Sequence, residues 1–253
     1  MPAPHLSEYA SRYEYAVLSR DEQGVLEVRL HHNGGPLVWG EGPHTELGYL
    51  FGDIAADPDN RVVIITGTGD RFIANLDTSW VGEMTPTKWN TIYNHGRRLL
   101  QRLLDIEVPV IGAINGPATV HAELGVLSDI VLCADHTYFS DAPHFSYGTV
   151  PGDGVHIIWP MLLGPNRGRY FLLTGQRLTA QEALSLGVVS EVLAPDALLA
   201  RARELAARLA RQPDTTLRYT RDALIQPIRR ALLDNLGYGL ALEGLGAHAS
   251  WPK

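Results

Sequence analysis

One cysteine in 253 residues, Cys133, rules out an internal disulfide and any Cys-rich zinc site. It sits in the apolar run Ile130-Val131-Leu132-Cys133-Ala134 and reads as a buried strand thiol. No apolar stretch approaches the roughly 20 residues needed to cross a bilayer. The segment from Met1 to Tyr15 is polar and carries no hydrophobic core of a secretion signal, so the expectation is a soluble, cytoplasmic protein with no membrane partner. There is no Gly-Lys-Ser/Thr phosphate loop and no Gly-x-Ser-x-Gly nucleophile elbow. Gly67-Thr68-Gly69-Asp70-Arg71-Phe72 lacks the third glycine of a dinucleotide fingerprint. His121-Ala122-Glu123 opens like a zinc-deaminase motif, but a chain with one cysteine has no thiolate pair to finish it. Long blocks of like charge are also missing. With a formal net charge of -7, the chain is not expected to track nucleic acid.

What is present is a large apolar fraction, 45%, enough for a sizeable core in one domain. Residues 25–30 alternate apolar and charged side chains, as a half-buried strand does. The runs at 62–65, 110–114 and 130–134 are short, apolar and bounded by turn residues. They read as strands of a parallel sheet covered on both faces. Residues 89–104 carry Ile92, Leu99, Leu100 and Leu103 at helical spacing, giving an alternating strand–helix order. Beyond Pro160 the chain turns helical. Thr179-Ala180-Gln181-Glu182 has capping-box spacing and Gly187 suits a helix end. Residues 197–209 and 217–242 are alanine- and leucine-rich, with Pro213 and Pro227 expected as breaks.

Several segments match one family in order along nearly the whole chain. Val63-Ile64-Ile65-Thr66-Gly67 leads to Arg71-Phe72-Ile73-Ala74-Asn75-Leu76-Asp77. Val108-Pro109-Val110-Ile111-Gly112-Ala113-Ile114-Asn115-Gly116 follows, then Ser128 to Ala134, Gly148-Thr149-Val150-Pro151-Gly152 and Leu173-Thr174-Gly175. Together they resemble the crotonase (enoyl-CoA hydratase/isomerase) superfamily. The resemblance implies an α/β fold: a ClpP-like spiral of ββα units over residues 1–195, and a C-terminal helical trimerisation region over 196–253. It also implies a homotrimer or homohexamer, in keeping with apolar helix faces after Pro195. The backbone N–H of Ala74 is the implied donor to a substrate oxygen.

The departures from that family point to one branch of it. Val120-His121-Ala122 replaces the glycine triplet that follows Asn-Gly-x-Ala-x, and His144 after Pro143 replaces a catalytic glutamate. Asp153 occupies the variable place of Pro-Gly-x-Gly, and His32 to Pro36 replaces Asn-Arg-Pro, which weakens contacts a CoA thioester needs. With Trp39, His44 and Glu243, these positions resemble the β-diketone hydrolases, the branch of 6-oxocamphor hydrolase. There the implied reaction is retro-Claisen cleavage of a cyclic diketone to a keto acid.

Elementary chemistry agrees with that assignment. Water attacking a ketone needs a positioned base, and imidazole suits the task with an ordinary pKa of about 6.5. Asp153 is expected to steady His144 if Gly148 and Gly152 fold the loop back. The expelled enolate needs preorganised donors, for which His121 and Trp39 are candidates. Glu243 or His121 is the expected proton source for the enolate carbon. His44 orients substrate or caps a helix over 45–55, and Glu123 has a structural and a functional reading of equal standing. His31, His95, His136, His156 and His248 are read as packed or solvated side chains. These roles use only proton chemistry, and no histidine pair has His-Glu-x-x-His spacing, so neither metal nor organic cofactor is expected. Two other functions stay open: a CoA-thioester hydratase, isomerase or hydrolase, and a crotonase-fold binding subunit without turnover.

Overall fold

A computed structural model describes residues 3–251. Its strands are β1 (Ala16–Arg20), β2 (Val25–Leu30), β3 (Leu37–Trp39), β4 (Val62–Thr66), β5 (Ile73–Leu76), β6 (Val110–Ile114), β7 (Ile130–Ala134), β8 (Tyr138–Phe139), β9 (Leu178–Thr179) and β10 (Glu191–Leu193). Interleaved with them run α1 (Leu6–Tyr9), α2 (Glu41–Ala56), α3 (Pro86–Asp105), α4 (Glu123–Val126), α5 (Val155–Leu163), α6 (Pro165–Thr174) and α7 (Ala180–Ser185). α8 (Pro195–Leu209) and α9 (Asp214–Ser250) close the chain.

The main sheet has the order β1-β2-β4-β6-β7-β10, antiparallel at β1 and parallel elsewhere. β4, β6 and β7 are almost wholly apolar because both faces are covered. Val62, Ile64, Ile111, Ala113, Leu132 and Ala134 face α8 through Leu198, Ala202 and Ala206. Val63, Ile65, Val110, Ile114, Val131 and Cys133 face the larger core on the other side. Cys133 is fully buried there, as its run suggested.

A second, smaller layer carries the site. β3 pairs with β5 in parallel, and bridges from Ile73 through Ala118 to Phe139 extend it to the antiparallel β8–β9 pair. The fold is therefore the expected mixed α/β architecture with a helical C-terminal end.

Helix boundaries follow local chemistry. Thr85 caps α3 by accepting from the Lys88 N–H, and Pro86 pre-sets the first turn. Thr179 and Glu182 form the expected reciprocal capping box on α7. Thr179→Ala is expected to cost about 1 kcal/mol of stability, read as a lower midpoint in a denaturant melt with activity retained.

Two helix expectations need correction. Pro227 does not break α9, which runs unbroken from Asp214 to Ser250, whereas Pro213 is its N-cap. A proline inside a helix forfeits one hydrogen bond. Here Leu232, Leu236 and Leu240 bury into the main core and carry the helix past it. The helix after β3 starts at Glu41, with Gly40 as its cap, so His44 stands inside the first turn and does not cap it.

Candidate active site

β3, the start of α2, the loop before α4, the 141–153 loop and α9 converge on one cavity of about 630 Å³. Trp39, His44, Ala74, His121, His144, Asp153 and Glu243, the whole set singled out from the sequence, line it. Its other walls are largely apolar: Leu76, Trp80, Val81, Ile92, Val120, Leu240 and Trp251. No Lys or Arg lines it among the described residues.

The loop geometry is set by backbone constraints. Gly148, at φ +76°, closes the short helical turn Phe145–Tyr147 and reverses the chain, a conformation glycine adopts without penalty. Gly152 packs against α9, where an added Cβ would collide with the Gly239 carbonyl oxygen. The loop therefore lies flat on α9 and places Asp153 beside His144.

His144 is buried between three carboxylates. Its Nδ1 is 2.6 Å from Oδ1 of Asp141, while Nε2 lies 3.4 Å from Oδ2 of Asp153 and 3.9 Å from Oε1 of Glu243. This corrects the expected pairing. Asp153 does not hold the far ring nitrogen; Asp141 does. The reason is reach: Asp141 precedes His144 by three residues and folds under the ring, so Nε2 is left to face Asp153 and the cavity. The sequence reading gives Asp141 no role, although its Asp-x-x-His spacing is the signal that could have found it.

His121 forms a second imidazole–carboxylate pair. Its Nδ1 is 2.5 Å from Oε1 of Glu123 and 3.6 Å from Oδ2 of Asp153. Glu123 is fully buried, with its carboxylate against the His121 ring. His121 itself has φ +45°, a left-handed conformation uncommon for a residue with a side chain. Its ring lies 3.9 Å from that of Trp39, centroid to centroid. Asp153 thus stands between two imidazoles.

The electrostatics follow from burial and these contacts. Burial alone would lower the His144 pKa, but Asp153 and then Asp141 outweigh it and hold it well above its ordinary value. Burial likewise opposes the charge on His121, and Glu123 together with Asp153 more than compensates, so its pKa is raised. Burial resists ionisation of Asp153, yet the His144 and His121 imidazoles bring its pKa below the usual carboxylate range. Glu243 goes the other way: burial, then repulsion from Asp153, raises it well above a normal carboxylic acid. His44 is pushed down to about 3 by burial, with His121 and His95 adding to the effect. At neutral pH it is an uncharged wall of the cavity, stacked on Trp80. The site brings imidazoles and carboxyl groups whose pKa values are pushed apart into one cavity, which is equipment for moving protons.

His95 packs against His44, and His156 is a largely buried imidazole whose pKa burial lowers. Neither lines the cavity. No helix of the described residues is long and apolar enough to cross a membrane.

Residues 22–241 match the family model described as enoyl-CoA hydratase/isomerase. The fold is similar to a β-diketone hydrolase from the cyanobacterium Anabaena sp. PCC 7120, solved with (S)-3-oxocyclohexyl acetic acid. The TM-score is 0.94 at 51% identity, covering 96% of this chain and 97% of the other. It is also similar to an enoyl-CoA hydratase/isomerase from Mycobacterium paratuberculosis, with a TM-score of 0.85 at 28% identity over 93% and 94% of the two chains. By sequence, a carnitinyl-CoA dehydratase from Salmonella arizonae is 38% identical over 167 residues. That stretch spans 64% of this chain and 62% of the relative's own length. A carnitinyl-CoA dehydratase from Proteus mirabilis is 35% identical over 190 residues, 74% of this chain and 71% of the relative.

Proposed function

The chain belongs to the enoyl-CoA hydratase/isomerase family, and within it we propose a hydrolase that cleaves a carbon–carbon bond of a β-diketone, a cyclic one above all. The observation that carries this reading is the His144 constellation. A buried imidazole is held at Nδ1 by Asp141 and presents Nε2 to Asp153, Glu243 and an apolar cavity. The likeness to the Anabaena hydrolase, bound to a cyclic keto acid, supports the same substrate class.

The chemistry needs water added across a C–C bond. With Nδ1–H donating to Asp141, the lone pair of neutral His144 is on Nε2, the nitrogen facing the cavity. The Nε2–Asp153 and Nε2–Glu243 distances of 3.4 and 3.9 Å exceed a good direct hydrogen bond and leave the Nε2 lone pair available to a water in the cavity. His144 takes a proton from such a water as its oxygen bonds to one carbonyl carbon. The tetrahedral oxyanion collapses to a carboxylic acid. The C–C bonding pair passes to the second carbonyl as an enolate, met by donors from His121 and Trp39. Glu243, whose raised pKa favours its protonated form, gives the α-carbon its proton and regains one from the His144 imidazolium. The net change is one water consumed and one keto acid formed, with no cofactor in the scheme.

A CoA-thioester activity is the rival, favoured by the similarity to carnitinyl-CoA dehydratases. The cavity argues against it, since among the described residues no Lys or Arg lines it to meet the phosphates of CoA. Calorimetry separates the two. A panel of monocyclic and bicyclic 1,3-diketones is expected to lose enol absorbance with the enzyme, while CoA and acyl-CoA give no binding heat. Micromolar binding of an acyl-CoA, with every diketone left intact, would reverse the assignment.

A further inference from the structure

We propose that His121, Glu123 and Asp153 form a binding site for a divalent transition-metal ion, zinc foremost, and that an ion there inhibits turnover. The binding half stands by itself; the inhibition half rests on the diketone hydrolase reading.

The three donor atoms lie within 4.8 Å of one another. Nδ1 of His121 is 3.6 Å from Oδ2 of Asp153 and 2.5 Å from Oε1 of Glu123. A tetrahedral ion with bonds of about 2.0–2.1 Å separates its ligand atoms by roughly 3.3 Å. The first spacing is already close to that, and the second has only to open by roughly 0.8 Å as the metal replaces the proton held between the two groups. A second observation points the same way. Oε2 of Glu123 and Oδ1 of Asp153 are buried and have no hydrogen-bond partner. Both side chains are at least nine-tenths buried, so water does not repay the lost hydration of these oxygens. A cation does.

The donor set narrows the choice of ion. One imidazole and two carboxylates favour zinc, cobalt or nickel over magnesium or calcium, which prefer oxygen cages. Two carboxylates also cancel the charge of a divalent ion in a medium where a net charge is costly. The ligands are held from separate supports: His121 in its left-handed backbone, Glu123 at the start of α4, and Asp153 on the loop flattened against α9. His121 and Asp153 line the cavity, so a fourth coordination position opens towards it. Such an ion draws Asp153 from its place 3.4 Å from Nε2 of His144 and ties up Nδ1 of His121. The base loses its facing carboxylate and the enolate donor is reoriented.

The test is a cobalt(II) titration of the full chain after chelator treatment. The expected result is one ion per chain, with visible absorption of four-coordinate cobalt that zinc abolishes by displacement. Glu123→Gln and His121→Ala are expected to lose the bands, whereas Glu243→Gln keeps them. Circular dichroism checks that each variant is folded. In the wild type, zinc should also raise the melting temperature, a reading independent of any substitution. Absence of both the cobalt bands and the zinc-dependent melting shift overturns the site, as do bands that survive Glu123→Gln. With a diketone substrate, zinc should abolish turnover and a chelator restore it; stimulation by zinc overturns the inhibitory half. If no diketone is cleaved at all, the cobalt titration still decides the site.

Discussion

His144→Ala is expected to lower kcat by ~10²–10⁴, the span removed with a general base. KM should change little, because the walls that hold an apolar substrate are elsewhere. The geometry makes a sharper demand on the partners of His144. Asp141 and Asp153 both raise its pKa, while burial opposes them. Its neutral, basic form therefore accumulates only above a raised pKa, so kcat/KM, which reports the free enzyme, should climb with pH through an alkaline-shifted limb. Asp141→Asn and Asp153→Asn each remove one anion that favours the imidazolium. Each should move that limb to lower pH. They should differ in rate: Asp141→Asn unsettles the tautomer that leaves Nε2 basic, whereas Asp153→Asn disturbs the water-facing side. Double variants with His144→Ala should be far from additive, since the groups act as a unit. A pH–rate limb that stays in place in both aspartate variants would show that His144 is not the titrating base.

How much of this was readable beforehand depends on what kind of contact is involved. The strands at 62–66, 110–114 and 130–134 announce themselves because a sheet buried on both faces demands unbroken apolar runs. The capping box at Thr179 is local and was legible for that reason. The site residues His121, His144 and Asp153 emerged through departures from a family pattern, Trp39 and Glu243 through the resemblance to one branch of it, and all five line one cavity. What stayed hidden was pairing. Which carboxylate takes which ring nitrogen depends on how the 141–153 loop lies on α9, and Glu243 reaches it from about ninety residues further along the chain. Spacing alone favoured Asp153 as the partner of His144. The folded loop gives Nδ1 to Asp141 instead. Pro227 misled for a related reason: propensity predicts a break, and tertiary packing carries the helix through.

His121 stands where the family resemblance implies a glycine triplet, and replacing it tests the enolate half of the reaction. If its imidazole meets charge that develops only as the C–C bond breaks, His121→Ala should lower kcat and kcat/KM together, by roughly 10²–10³. If it merely seats the diketone, KM rises and kcat holds. Glu123 sharpens the distinction. It raises the His121 pKa against burial, which favours the ring as a charged donor, and Glu123→Gln should weaken that donor without removing it. The rate loss for Glu123→Gln is thus expected to be smaller than for His121→Ala and to appear in the same two constants. Backbone strain supplies the control. At φ +45°, asparagine is better tolerated than alanine and still carries a side-chain N–H. His121→Asn should therefore recover part of the activity lost in His121→Ala. Equal losses in both, with unchanged melting temperatures, would mean that the side-chain donor is not what the transition state uses at this position.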